Sequence, residues 1–208
     1  MKNLWFFIVF LCSICVHGQL SDREIIIKDN NELIASIFDK NYDNILDFTH
    51  PELYNFVSRD DMKLVMMQIF EGNEDIKMEF NRVPNAEINV TEISTLEDRT
   101  KYAFVTYPLN FTMKVKAGFS EEQQAFLKES FKKEGMMATF KSDKEIDINK
   151  VSLSIAINSA KTDYKWKYLN HDENNPFYPR LLPKEILTKA IEYNATLIQE
   201  QNKGANNK

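Results

Sequence analysis

The chain has 208 residues, 43% of them apolar and 27% charged, with a formal net charge of −5. Acidic and basic side chains are interspersed along it, which excludes nucleic acid as an expected partner, because phosphate binding needs a concentrated basic face. The 190 or so residues beyond the first 18 suffice for one domain with a sizeable core.

Residues 1–18 read as an export signal. Lys2 is the only charge, and Leu4 to Val16 form an apolar run too short for a bilayer, which takes roughly 20 residues. Val16-His17-Gly18 offers a cleavage position, with Gln19 beginning the mature chain. Both cysteines, Cys12 and Cys15, lie inside this segment, preceded by Leu11 and Ile14 rather than by the small residue a lipoprotein signal requires. The expected mature protein is therefore periplasmic or extracellular. It has no disulfide and no transmembrane segment, and its core alone must hold it together.

The next segment is helical by its spacing. Ile26, Leu33, Ile34, Ile37 and Phe38 make a stripe over 22–39, and Tyr42, Ile45, Leu46 and Phe48 a shorter one. His50-Pro51 interrupts, since the residue before proline is pushed out of the helical region. Pro51 then suits the first turn of a short helix carrying Leu53, Phe56 and Val57. Ser58 with Asp61 forms an N-cap pair ahead of Met62, Val65, Met66, Ile69 and Phe70.

After Gly72 the period changes to two. Ile76, Met78 and Phe80 alternate with polar residues, Pro84-Asn85 makes a turn or bulge, and 86–94 alternate again. The longest strand runs from Lys101 to Lys116, with Ala103, Val105, Tyr107, Leu109, Phe111, Met113 and Val115 on one face. Pro108 inside it implies a bulge or an unpaired stretch. Ser120-Glu121-Glu122-Gln123 is a capping box opening a helix that ends at Gly135. Residues 136–148 and 150–159 read as a hairpin. Tyr164, Trp166 and Tyr168 line a last strand, and Pro183 starts a final helix. A disordered tail is expected at 201–208, after a single domain spanning 19–200.

Helices followed by an antiparallel meander define an α+β domain. The expected form is a cone-shaped roll: N-terminal helices packed on one face of a curved antiparallel sheet, with an inserted helix near 120–135. Helices, one hairpin and long strands ending in Trp-Lys-Tyr-Leu resemble the nuclear transport factor 2-like superfamily over roughly residues 28–170. More closely, the chain resembles exported members of that type without assigned activity. Their Y-D-x-I-L-D-x-x-x-P-x-L is matched by Tyr42 to Leu53, their W-K-x-L by Trp166 to Leu169, and their L-P-K-E-I-L by Leu182 to Leu187. The superfamily holds isomerases, dehydratases, binding domains and assembly modules, so the resemblance implies a fold more than an activity. Its isomerases use an Asp base inside the cone. No acidic residue sits on the apolar face of the 101–116 strand here.

The candidate pocket residues are Asp47, His50, Tyr54, Tyr107 and Trp166. Asp47, His50 and Tyr54, with Tyr42 nearby, could make an acid–base corner; the simpler reading is a pre-proline histidine with tyrosines packed beside it. Tyr107 could offer a pocket hydroxyl, and Trp166 with Tyr164 and Tyr168 could stack on a flat ligand, though all of them suit a core as well. Asp143, Glu145 and Asp147 are read as a charged edge strand rather than a calcium site. His171-Asp172-Glu173 opens a long loop. With only His50 and His171 beyond residue 18 and no cysteine there, no metal site and no cofactor are expected. The expectation is an exported, non-catalytic protein, monomeric or a homodimer, binding a small apolar ligand or an envelope partner. The alternatives are an acid–base enzyme of isomerase or dehydratase type using Asp47, His50 and Tyr107, and an assembly module pairing through its open sheet face.

Overall fold

A computed structural model describes residues 20–83, 86–173 and 175–206. The expected export signal at 1–18 and the turn or bulge expected at Pro84-Asn85 lie outside the described residues. Helix α1 spans Asp22–Phe38 and α2 spans Tyr42–Phe48. A 3-10 turn at Pro51–Asn55 leads to α3 at Arg59–Glu71. Strands β1 (Ile76–Asn81), β2 (Asn89–Val90), β3 (Ser94–Thr95) and β4 (Lys101–Val115) follow, then α4 (Glu121–Lys133). Strands β5 (Met136–Ser142), β6 (Glu145–Asn158) and β7 (Lys167–Asn170) complete the sheet. A short α5 (Tyr178–Leu181) and a long α6 (Lys184–Asn206) close the chain.

The domain is α+β, and among the described residues seven antiparallel strands form one open sheet. Local chemistry starts the helices. Ser21 caps α1 with Glu24 in a reciprocal box, Ser58 accepts from the Asp61 N–H, and Ser120 with Gln123 caps α4. Each such cap contributes on the order of 1 kcal/mol. Gly72 ends α3 at φ +76°, where a Cβ would lie 2.6 Å from the Ile76 carbonyl oxygen.

The long strands β4 and β6 pair without a register shift from Lys101/Asn158 to Lys114/Glu145. Along the outer side of β4 lie β1, β2 and β3; along the outer side of β6 lie β5 and β7. Pro108 makes no bulge. On the outer side of β4 it falls between the partners of β2 at 105–106 and those of β1 at 110–115, so although it stays opposite Val151 of β6 its missing N–H faces an unpaired edge and removes no ladder bond. The expected strand over 86–94 is reduced to the short β2 and β3, because only those residues find partners on β4. The expected hairpin turn moves to Asp143-Lys144, so 145–148 belong to β6.

One face of the sheet is covered as expected. Ala103, Val105, Ala156, Trp166 and Tyr168 pack with Ile26 of α1. Further along, rings run in series from Tyr42 through Phe70 and Phe80 to Phe111, with centroids 6.0, 4.7 and 5.7 Å apart. The opposite face is covered too. Tyr102, Phe104, Leu153, Ile155, Ile157 and Leu169 pack against Leu181, Leu182, Ile186 and Ala190. Helices on one face only is thus corrected to helices on both: the apolar row Leu153, Ile155 and Ile157 needs its own cover, and α5 and α6 supply it. Beyond the reach of α6 that same face turns polar. Glu79 bridges Lys77 and Lys114, and Asp147 accepts from Lys141 and Thr112.

The expected tail is also corrected. Helix α6 continues through 201–206, while 207–208 lie outside the described residues. Gln201 gives the physical reason, since its Oε1 accepts from the Val151 N–H on the edge of β6, 3.1 Å away.

Candidate functional site

Residues Asp22, Ile25 and Asp29 recur on one side of α1. They face the end of α2, with Asp47 and Phe48, and the approach to β7, with Tyr164, Lys165, Trp166 and Lys167. Between them opens a cleft of about 420 Å³. Trp166 is 5% exposed and donates its Nε1–H to Asp22 Oδ1 at 3.2 Å, while Lys101 Nζ donates to Asp22 Oδ2 at 2.7 Å. The Lys101 hydrogen bond holds the Asp22 carboxyl below its usual value against the cost of burial.

Asp29 behaves oppositely. Burial pushes its carboxyl above the usual value, although the Tyr168 hydroxyl donates to it at 2.9 Å. The Tyr168 hydroxyl is itself driven far up, by burial first and then by Asp29. Phe48 meets the Tyr168 ring edge-on, with centroids 6.1 Å apart. The cleft therefore has an aromatic and aliphatic floor, two half-buried carboxyls, Asp22 and Asp29, and a rim carrying Asp47, Lys165 and Lys167.

The rim is conformationally costly. Asp163 and Tyr164 occupy consecutive left-handed backbone positions, at φ 51° and 54°. Each such non-glycine residue costs about 1–2 kcal/mol, and strain of this kind clusters at functional sites. The result lifts Tyr164 to 67% exposure at the cleft mouth. This corrects the reading of Tyr164, Trp166 and Tyr168 as one strand face: β7 begins only at Lys167, and Tyr164 stands out in the preceding turn.

Of the five residues expected to form a pocket, Asp47 and Trp166 share this cleft. The other three go elsewhere. Asp47 points outward, 65% exposed and 2.7 Å from Arg59. His50 is 2% exposed and lines a different cavity of about 320 Å³ with Asp98, Thr100, Ser159 and Lys161. Tyr54 donates to the Leu46 carbonyl. Tyr107 is buried and lines a small cavity beneath α1. The acid–base set Asp47, His50 and Tyr107 is not assembled. Among the described residues no group of three or more His, Cys, Asp or Glu side chains is placed to hold a metal ion. Asp143 sits in the β5–β6 turn, while Glu145 and Asp147 both lie within reach of Lys141.

Sequence reasoning missed Asp22, Ile25 and Asp29. The spacing Asp22–Ile25–Asp29 on one helical face was the available signal, since acidic residues beside a buried stripe mark its border.

Burial pushes the His50 imidazole below its ordinary value, with Glu52 opposing and Lys161 assisting; burial does the same to His171. The unfolded chain then takes up protons at a higher pH than the folded one. The stability gained by keeping the rings neutral is complete above about pH 6.5, the unfolded value, and is lost as pH falls through the lower folded values. Thermal melts should therefore show a constant Tm contribution above about pH 7 and a decline below about pH 6. His50→Gln should make that decline shallower; an unchanged slope would rule out His50 as a source.

Comparison with protein-family models, with curated proteins and with solved structures finds no match to this chain. Among the described residues no helix is long and apolar enough to cross a membrane.

Proposed function

We propose that this is an exported binding protein that takes a small amphipathic ligand in the cleft between α1 and β7. The observation that carries the reading is the pairing of an apolar floor, made by Ile25, Phe48 and Trp166, with the half-buried Asp29 carboxyl. Mostly apolar concavities with a few placed polar groups are the usual form of small-molecule sites. A flat apolar body would lie against Trp166 beneath Tyr164, and a donor or cationic group would meet Asp29. A ligand cation there would also return Asp29 toward its ordinary ionisation.

An assembly module would present an apolar open sheet face. Here the uncovered part of the sheet carries Lys77, Glu79, Lys114, Lys141 and Asp147 in ion pairs, which favours the binding reading. A second reading has one specific support: Asp29, raised by burial and bonded to Tyr168, is poised as a general acid or base in a cleft.

Isothermal calorimetry with naphthylmethylamine and naphthylacetate tests the proposal. Both carry the same ring system and differ in the sign of the charge. The amine should bind more tightly, and Asp29→Asn should erase the difference. Equal affinity of the two probes, or no heat from either, would overturn the reading.

A further inference from the structure

The cavity that holds His50 lies at the end of the sheet, on the side covered by α5 and α6. Its position follows from the register. The last pair between β4 and β6 is Lys101/Asn158, and Thr100 and Ser159 stand one residue beyond it. Tyr102 and Ile157 pair with each other and face α5 and α6, so alternation sends Thr100 and Ser159 to the same side. His50 closes the space from the outer edge of β7, where its N–H bonds to the Tyr168 carbonyl at 3.1 Å. Leu181 and Pro183 enter from the junction of α5 and α6.

The inner wall is polar but uncharged. His50 is 2% exposed, its Nδ1 is buried without a partner, and the ring makes no hydrogen bond among the described residues. Closed off in this way, Nδ1 cannot meet an occupant of the cavity. The proton is therefore assigned to Nε2, where a donor can still find an acceptor. Burial holds the ring below its ordinary value, which keeps it neutral near pH 7. Thr100 and Ser159, each 7% exposed, add hydroxyls that can donate and accept. Aliphatic wall comes from Ile157, Leu181 and Pro183.

The charged side chains around the cavity already have partners. Lys161 Nζ lies 2.8 Å from Glu52 Oε2, and Asp98 Oδ1 accepts from the Thr100 N–H at 2.9 Å. Lys161 and Asp98 are both exposed, so they stand at the mouth rather than inside. An ion moving past them would exchange its hydration for uncharged groups, at a cost of several kcal/mol. An uncharged molecule avoids that cost. Its oxygen can take the His50 N–H while its own N–H or O–H gives to a hydroxyl, which meets the unbonded group of the wall.

We propose that this cavity binds a small uncharged aliphatic molecule with a carboxamide or hydroxyl head. The head lies between His50 Nε2 and the hydroxyls of Thr100 and Ser159, and the chain lies along Ile157, Leu181 and Pro183. The volume of about 320 Å³ is at the lower end for small-molecule sites and suits a short chain. The cavity shares no lining residue with the α1–β7 cleft among the described residues, so the two sites stand or fall separately.

Nuclear magnetic resonance of the imidazole groups in the full chain tests this, with hexanamide, hexanoate and hexylamine as probes. Hexanamide should move the His50 resonances saturably and leave those of His171 in place. The two charged probes should bind at His50 more weakly by about tenfold or more, which is about 1.4 kcal/mol. Hexylamine is titrated into Asp29→Asn, so that occupancy of the cleft is not read as occupancy of this cavity. His50→Leu keeps apolar bulk and removes the donor, and calorimetry with hexanamide should then show a loss of about tenfold or more. Should His50→Leu unfold the protein, Thr100→Val combined with Ser159→Ala carries the same expectation. Equal binding of hexanoate or hexylamine at His50 would overturn the uncharged ligand. Stationary His50 resonances with hexanamide, or full affinity in both variants, would overturn the site itself.

Discussion

Ile155→Ala should destabilise the protein by about 2–5 kcal/mol, the range for truncating a buried isoleucine. Ile155 is 0% exposed in the middle of β6, paired with Phe104 on one side and Leu169 on the other. Its side chain belongs to the cluster that meets Leu181, Leu182 and Ile186. The lost transfer energy and the cavity left behind add, because β6 is held on both edges and cannot collapse inward. Urea unfolding should show a lower midpoint at unchanged slope. Leu64→Ala is the control: Leu64 is 56% exposed on α3, and its loss should stay within about 0.5 kcal/mol. If Ile155→Ala cost no more than the control, α5 and α6 would not be packed on that face. The two-sided arrangement would then be wrong.

Trp166→Ala should cost about 3–5 kcal/mol, the range for deleting a buried aromatic. The ring is 5% exposed within the cluster of Ile26, Val90, Ala103 and Tyr168, and it also forms the cleft floor. Trp166→Phe keeps part of the apolar contact but loses the second fused ring as well as the N–H donated to Asp22, so it should cost less than Trp166→Ala, on the order of 2 kcal/mol. Chemical denaturation gives the stability change, and calorimetry with naphthylmethylamine gives the effect on the cleft. Trp166→Phe should weaken the amine modestly and Trp166→Ala strongly. Equal small losses in both variants would place the ring outside the core and outside the ligand path.

The local chemistry of this chain is legible in one dimension. Ser21, Ser58 and Ser120 cap helices because their side chains bond to N–H groups only three residues ahead. The alternation from Lys101 onward makes β4 a strand whatever its neighbours are. Pro108 marks the unpaired stretch because a missing donor can be tolerated only where no partner comes. Less legible was the use of the second face. On β4 its row begins with Tyr102 and Phe104 but continues through Thr106, Asn110, Thr112 and Lys114, which together read as solvent-facing. Only the arrival of α6 divides that row into a covered half and a charged half.

The candidate residues divided for the same reason. Asp47 and His50 are three residues apart in the chain, yet the extended pre-proline turn sends one outward to Arg59 and the other into a cavity beside Ser159. Trp166 and Asp22 are 144 positions apart and share a hydrogen bond. Helices, their ends and the long strands were set by the sequence alone, since the bonds and periodicities that make them span only a few residues. Which faces are covered and which side chains share a cavity were decided by the tertiary structure, because those contacts join segments whose separation leaves no periodic trace in the chain.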